Sequence, residues 1–163
     1  MAPNTGRTVN VRTSFNIDDS GGTLRTIPIN SISAVGLVFD MVDLTAWQDA
    51  IKGALPAHPD APIEISGPWD TSAAAAAGTL SGSHTILYNL AGATTPLTLD
   101  VQFGVRHAWE AGEPQFGLTK TATSGYHVVN YTVDPAAGTY SARAVLFPGS
   151  SLPAWGTTAE TAG

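Results

Sequence analysis

The sequence contains no cysteine, which excludes a disulfide framework and thiolate metal sites. Charge is scarce as well. Asp, Glu, Lys and Arg make up 12% of the 163 residues, about half the share of an ordinary soluble domain. A free monomer usually carries more charge to stay soluble, so a surface partly covered by partners is expected. The seven bases (Arg7, Arg12, Arg25, Lys52, Arg106, Lys120 and Arg143) are scattered and outnumbered by 13 acids, for a net charge of -6. No basic stripe is available to neutralise phosphates, which argues against tight nucleic-acid binding. The N-terminal Met1-Ala2-Pro3-Asn4-Thr5-Gly6 lacks the apolar core of a signal peptide. No apolar run approaches membrane-spanning length, so no membrane binding by this chain is expected.

What is present is alternation. Val9, Val11, Thr13, Phe15 and Ile17 alternate with polar residues, which predicts a strand with one buried face. A loop rich in turn formers follows at 18–22, where glycines can take positive φ. The apolar stretch 24–39, interrupted by Pro28 and Gly36, reads as one bent strand or two short ones. Asp43 is a good N-cap for a helix over about 44–55, with Leu44, Trp47, Ile51 and Leu55 on one face and Pro56 ending it. That face is expected to form a helix–sheet core. Ile63 and Ile65 begin another strand, and 68–83 reads as loop with room for one helical turn at 73–77. Ile86, Tyr88 and Leu90 alternate. The clearest strand runs through Leu97, Leu99, Val101, Phe103 and Val105. Val129, Tyr131 and Val133 form a further one, joined by the turn at 134–138 to 139–147 as a hairpin. The segment 148–163 shows no periodicity.

This spacing predicts a mainly β chain, a sandwich or barrel with one flanking helix, forming a single domain over 1–163. Residues 1–8 and 148–163 are read as N-terminal and C-terminal arms.

No cluster of chemical groups stands out. Asp18-Asp19 lacks the alternating oxygen ligands and closing Glu of an EF-hand and reads as turn and cap. Glu110 and Glu113 could serve as a glycosidase pair, a pairing common by chance. His58, His84, His107 and His127 lack metal-ligand spacing, and Ser81-Gly82-Ser83-His84 is not a nucleophile elbow. No catalytic residue, metal or cofactor is therefore expected. Trp69, Trp109, Trp155 and Tyr126 lie in or near predicted loops, where they can stack on sugars or anchor subunit contacts.

The order of elements resembles the tail tube, or major tail, proteins of long-tailed, non-contractile bacteriophages, over roughly residues 9–155. The carriers are Phe15-Asn16-Ile17-Asp18-Asp19-Ser20-Gly21-Gly22-Thr23-Leu24-Arg25, then Val42-Asp43-Leu44-Thr45. Ile63-Glu64-Ile65-Ser66-Gly67-Pro68-Trp69-Asp70, Gly78-Thr79-Leu80 and Tyr140-Ser141-Ala142-Arg143 complete them. Type VI secretion tubes and contractile-tail tubes have related folds. The resemblance implies copies of one chain in rings, usually of six, stacked into a hollow tube through which DNA passes without specific binding. It implies a virion protein made in the bacterial host cytoplasm, with tape measure, terminator and distal tail proteins at the tube ends. Asp18, Asp19, Gly22, Arg25, Trp109, Glu110, Phe116 and Trp155 are the expected intersubunit contacts. A head decoration or tail-terminator protein is the alternative within the virion, and a carbohydrate-binding module the alternative outside it.

Overall fold

The computed structural model of the chain describes residues 12–76, 78–104 and 114–157. Two antiparallel sheets pack face to face. The first, of five strands, has the order β11-β8-β7-β1-β2, built from β1 (Arg12–Asp18), β2 (Leu24–Ile27), β7 (Leu99–Gly104), β8 (Pro114–Leu118) and β11 (Ala154–Thr157). The second, of four, has the order β3-β6-β10-β9, from β3 (Ser31–Ile32), β6 (Ile63–Pro68), β9 (Tyr126–Asp134) and β10 (Thr139–Leu146). A separate two-stranded ribbon joins β4 (Val38–Asp43) to β5 (Ala54–Asp60). One short helix, α1 (Ser83–Leu87), follows β6 in the chain. The sheets form an open sandwich and do not close into a barrel.

Alternation explains the core. On β10, Tyr140, Ala142 and Ala144 are buried while their neighbours face outward, and Ile63 and Ile65 on β6 do the same. Phe15 and Ile17 on β1, Ile27 on β2, and Leu99 and Val101 on β7 meet them from the first sheet. Ile86, Leu87, Leu90 and Leu97 complete the same cluster. Two tyrosines of the second sheet pair hydroxyls that would otherwise be unsatisfied with loop carbonyls. Tyr126 donates to the Ala61 carbonyl at 3.0 Å and Tyr140 to the Pro28 carbonyl at 2.6 Å. Burial pushes both phenols well above their usual pKa, so they stay protonated donors. Gly117 on β8 is required by proximity: a Cβ there would lie 2.4 Å from the Leu99 carbonyl oxygen of β7.

The structure corrects several expectations. The helix over 44–55 does not form, and the region instead makes the turn and flanks of the β4–β5 hairpin. Local side-chain bonds favour the turn over a helix. Asp43 accepts the Thr45 N–H at 2.9 Å and Asp49 accepts the Ala46 N–H at 2.7 Å. The Thr45 hydroxyl clamps both the N–H and the carbonyl of Gly53. Leu44, Trp47, Ile51 and Leu55 are consequently not a helix–sheet core but are exposed by 55%, 102%, 83% and 57%. Ile86, Tyr88 and Leu90 lie in and just after α1 rather than in a strand. Residues 73–76 form no helical turn. Tyr126 is a core residue, not a loop aromatic. Within the expected C-terminal arm, β11 pairs with β8 and so belongs to the first sheet. Residues 1–8 lie outside the described residues.

Candidate functional site

The loop after β1 is tied down within the subunit. Asp19 Oδ1 accepts the N–H groups of Gly21 and Thr23 at 2.9 Å each, and Oδ2 meets Arg25 Nε at 2.9 Å. Partial burial pushes the Asp19 carboxyl up, but the bonds from Thr23, Arg25 and Gly21 outweigh it and leave the pKa below its ordinary value. Arg25 also donates to the Ala75 carbonyl at 2.7 Å, tying β2 to the loop at 71–76. Asp18 accepts the Thr98 N–H at 3.0 Å and pairs with Lys120 at 3.1 Å. Gly22, at φ 85°, occupies the turn. These carboxylates act as turn and cap groups and are already saturated by the protein.

Beside this loop lies a buried polar row on β1, β2 and β7. Asn16 donates to Asp100 at 2.6 Å and accepts from the Thr26 hydroxyl, which in turn accepts the Gly78 N–H. Burial, opposed by the Asn16 bond and reinforced by the charge of Asp18, raises the Asp100 pKa above its ordinary value. Such a row orders the sheet. It presents no nucleophile or open ligand position, and among the described residues no three His, Asp or Glu side chains gather as a metal site.

The expected contact residues therefore separate. Gly22 and Trp155 are exposed, Asp19 and Arg25 are half-buried, and Trp109 and Glu110 lie outside the described residues. Asp18 and Phe116 are 2% and 0% exposed, and their side chains serve the subunit's own fold, which corrects their assignment to its surface. Phe116 lies beneath Trp155, ring centroids 5.0 Å apart, and Phe103 flanks the same indole at 5.7 Å.

The surface that sequence reasoning missed is the β4–β5 hairpin. Its strands contact chiefly each other. Val38, Phe39, Met41 and Val42 on β4 are 45–63% exposed, beside the four exposed residues of the turn and β5 already named. A two-stranded ribbon is marginally stable alone in water, and contiguous exposed apolar surface marks an interaction site. The available signal was Pro56 and Pro59, three residues apart, after the mostly apolar 37–42 and the turn-forming 43–53.

Two further surfaces flank the second sheet. Its outer face carries an open groove of about 650 Å³ whose lining includes Glu64, Ser66, Asn130, Thr132, Ser141 and Arg143. Near β9, an aromatic group surrounds His84. The imidazole stacks on Tyr88 at 5.1 Å, meets Trp69 edge-on at 5.4 Å, and its Nδ1 lies 2.9 Å from the Tyr131 hydroxyl. Trp69 and Tyr88 remain 44% and 54% exposed.

Fold and surfaces together define an antiparallel β-sandwich with an apolar hairpin whose strands contact chiefly each other. No protein-family profile and no curated protein sequence matches the chain. Six chains of solved structures do. One comes from the cryo-EM structure of an extracellular contractile injection system, the PVC sheath-tube complex in its extended state. The match covers 93% of each chain at a TM-score of 0.55 and 9% identity. At that identity the likeness is one of fold, and the fold is of the kind found in that assembly.

Proposed function

We propose that this chain is a structural subunit of a phage-type tail tube, which self-assembles into stacked rings around a hollow channel. The carrying observation is the shared fold over 93% of both chains. Equal coverage means that the neighbour is a subunit of nearly the same length, so the likeness extends over the whole sandwich. The resemblance of the sequence is to tubes of non-contractile tails and the structural neighbour belongs to a contractile injection system. A tube-type subunit is the reading common to both. Exposed apolar side chains on an otherwise charge-poor chain fit a subunit whose surface is covered by its own copies.

In this reading the rings are six-membered, and stacking leaves a lumen through which DNA travels into the host. A ring then carries six times the chain's net charge of -6, which disfavours DNA adhesion to the tube. Tape measure, terminator and distal tail proteins contact the tube ends, and the mature location is the virion tail. The role is structural rather than enzymatic. Residues 1–8 act as an arm that reaches a neighbouring copy, with Gly22, Arg25 and Trp155 among the contacts and Trp109 and Glu110 assigned with them. Negative-stain electron microscopy of the purified protein tests this. Hollow tubes or rings with rotational symmetry are expected; a strict monomer at every concentration and salt condition overturns it.

A further inference from the structure

The hairpin has two unlike edges. On β5, Pro56 and Pro59 lack N–H groups, so its outer edge cannot support a ladder. On β4 no proline occurs. The Leu44 N–H bonds to the Gly53 carbonyl, which fixes the phase of the ribbon. Val42, paired with Leu55, directs its backbone groups inward, and Met41, paired with Pro56, directs its own outward. The ribbon is thus closed along β5 and open along β4.

The open edges of the sandwich are also unequal. The edge at β2 is partly occupied, because the Ser81 N–H bonds to the Thr26 carbonyl. β3 and β11 have two and four residues. β9 has nine, and its 126–128 end is engaged: Tyr126 exchanges two backbone bonds with Leu97, and the Val128 carbonyl accepts the Gly92 N–H. Among the described residues nothing pairs with the outer edge of 129–134, which is as long as the six residues of β4.

We propose that β4 of one subunit pairs with the open edge of β9 in a second copy, so that the hairpin extends its neighbour's four-stranded sheet. This rests on the tube-subunit reading and names the joint that such a subunit would use. Main-chain bonds along the edge give affinity, and side chains select the partner. Three features point to a copy of this chain as occupant. The apolar residues of the ribbon find an apolar counterpart next to β9, where Trp69 and Tyr88 stand exposed around His84 and Tyr131. Asp40 of β4 finds a cation in Arg143, one strand in from the free edge. Among the described residues its carboxylate partner is Glu64 at 3.8 Å, and the Arg143 side chain is still 43% exposed. Finally, the ribbon spans residues 38–60, a length within the about 20–30 residues that one side of a stable interface contributes.

The cysteine-free sequence makes the joint directly testable. Single variants Asp40→Cys and Thr132→Cys, mixed, assembled and oxidised, are expected to form disulfide-linked dimers, because paired strands bring Cα atoms within bonding range of a disulfide. Val42→Cys with Thr132→Cys is expected to do the same, the two β4 sites lying on one face. His58→Cys on the closed edge, mixed with Thr132→Cys, is the control and should cross-link several-fold less. Met41→Pro removes an outward N–H and leaves the ribbon's inner bonds. It should weaken assembly by about tenfold or more per contact, with the thermal unfolding of the sandwich unchanged. If the chain assembles into tubes but the cysteine variants form no β4–β9 cross-link, cross-link equally through His58→Cys, or tubes persist with Met41→Pro, the joint is overturned and the tube reading stands. Failure of the wild-type chain to assemble at all overturns the tube reading and this joint with it.

Discussion

The sandwich and the hairpin are made of similar residues and have opposite fates. Ile63, Ile65, Tyr140 and Ala142 are apolar and buried, whereas Met41, Val42, Leu44 and Trp47 are apolar and exposed. The difference is in their surroundings. The strands that supply the core have an opposing sheet to cover one face, and the two strands of the ribbon contact chiefly each other. Hydrophobicity of a segment therefore predicts burial, but not burial within its own subunit. The comparison divides the molecule into a part whose stability is internal and a part whose energy is realised on contact.

The strongest way to break this division is in the sandwich. Phe116 is 0% exposed, beneath Trp155 and across from Val101 on β7. Phe116→Ala should cost about 3–5 kcal/mol through lost burial and a residual cavity. Urea titration followed by tryptophan fluorescence is the measurement. A loss below about 1 kcal/mol would mean that β8 and β11 are not integral to the fold.

How much of this was legible follows the same division. Alternation on β1, β6, β7, β9 and β10 could be read because one face is covered and the other is not, which is what a period of two records. The 134–138 turn could be read from its Asp-Pro and Gly. Over 44–55 the spacing of Leu44, Trp47, Ile51 and Leu55 was helical, yet no sheet lay beneath it, and the Asp43, Thr45 and Asp49 bonds closed a turn. Ile86, Tyr88 and Leu90 are too few to separate a period of two from one turn of helix. In the structure Ile86, Leu87 and Leu90 point inward and Tyr88 outward, the helical pattern. Strand β11 escaped because four residues containing a glycine carry little periodicity. Of the candidate surface, Gly22 and Trp155 were found as exposed positions, and the hairpin was hidden by its own helix-like spacing.

A smaller effect tests the buried polar row. Asp100 is 8% exposed and faces Asn16, Gln115 and the Asp18–Lys120 pair. Burial raises its pKa first, the Asn16 and Gln115 bonds oppose this, and Asp18 adds to the rise. A carboxyl whose folded pKa exceeds its unfolded value binds its proton more tightly in the folded state. Stability is then retained in acid and declines as pH climbs from the ordinary value of 3.8 through the raised one. Asp100→Asn keeps an acceptor for the Asn16 amide and removes the buried charge. It should raise the neutral-pH unfolding free energy by an amount within about 2 kcal/mol, and the gain should shrink towards zero as the pH falls below 3.8. A gain that grows in acid would contradict the assigned sign.

The smallest effect on folding is expected where the exposed side chain is largest. Trp47 is 102% exposed at the tip of the hairpin and touches no core residue. Removing a side chain that is equally wet in the folded and unfolded chain leaves their free-energy difference almost unchanged, so Trp47→Ala should shift unfolding by less than about 0.5 kcal/mol. The same indole, covered by a second copy, becomes the kind of anchor whose truncation costs about 2 kcal/mol, about 30-fold in assembly affinity. Thermal unfolding and sedimentation of one preparation report both quantities. The sandwich–hairpin comparison requires them to come apart: unfolding unchanged and assembly weakened. If Trp47→Ala lowers stability as Phe116→Ala does, the hairpin folds back onto its own subunit, and its apolar side chains belong to the core after all.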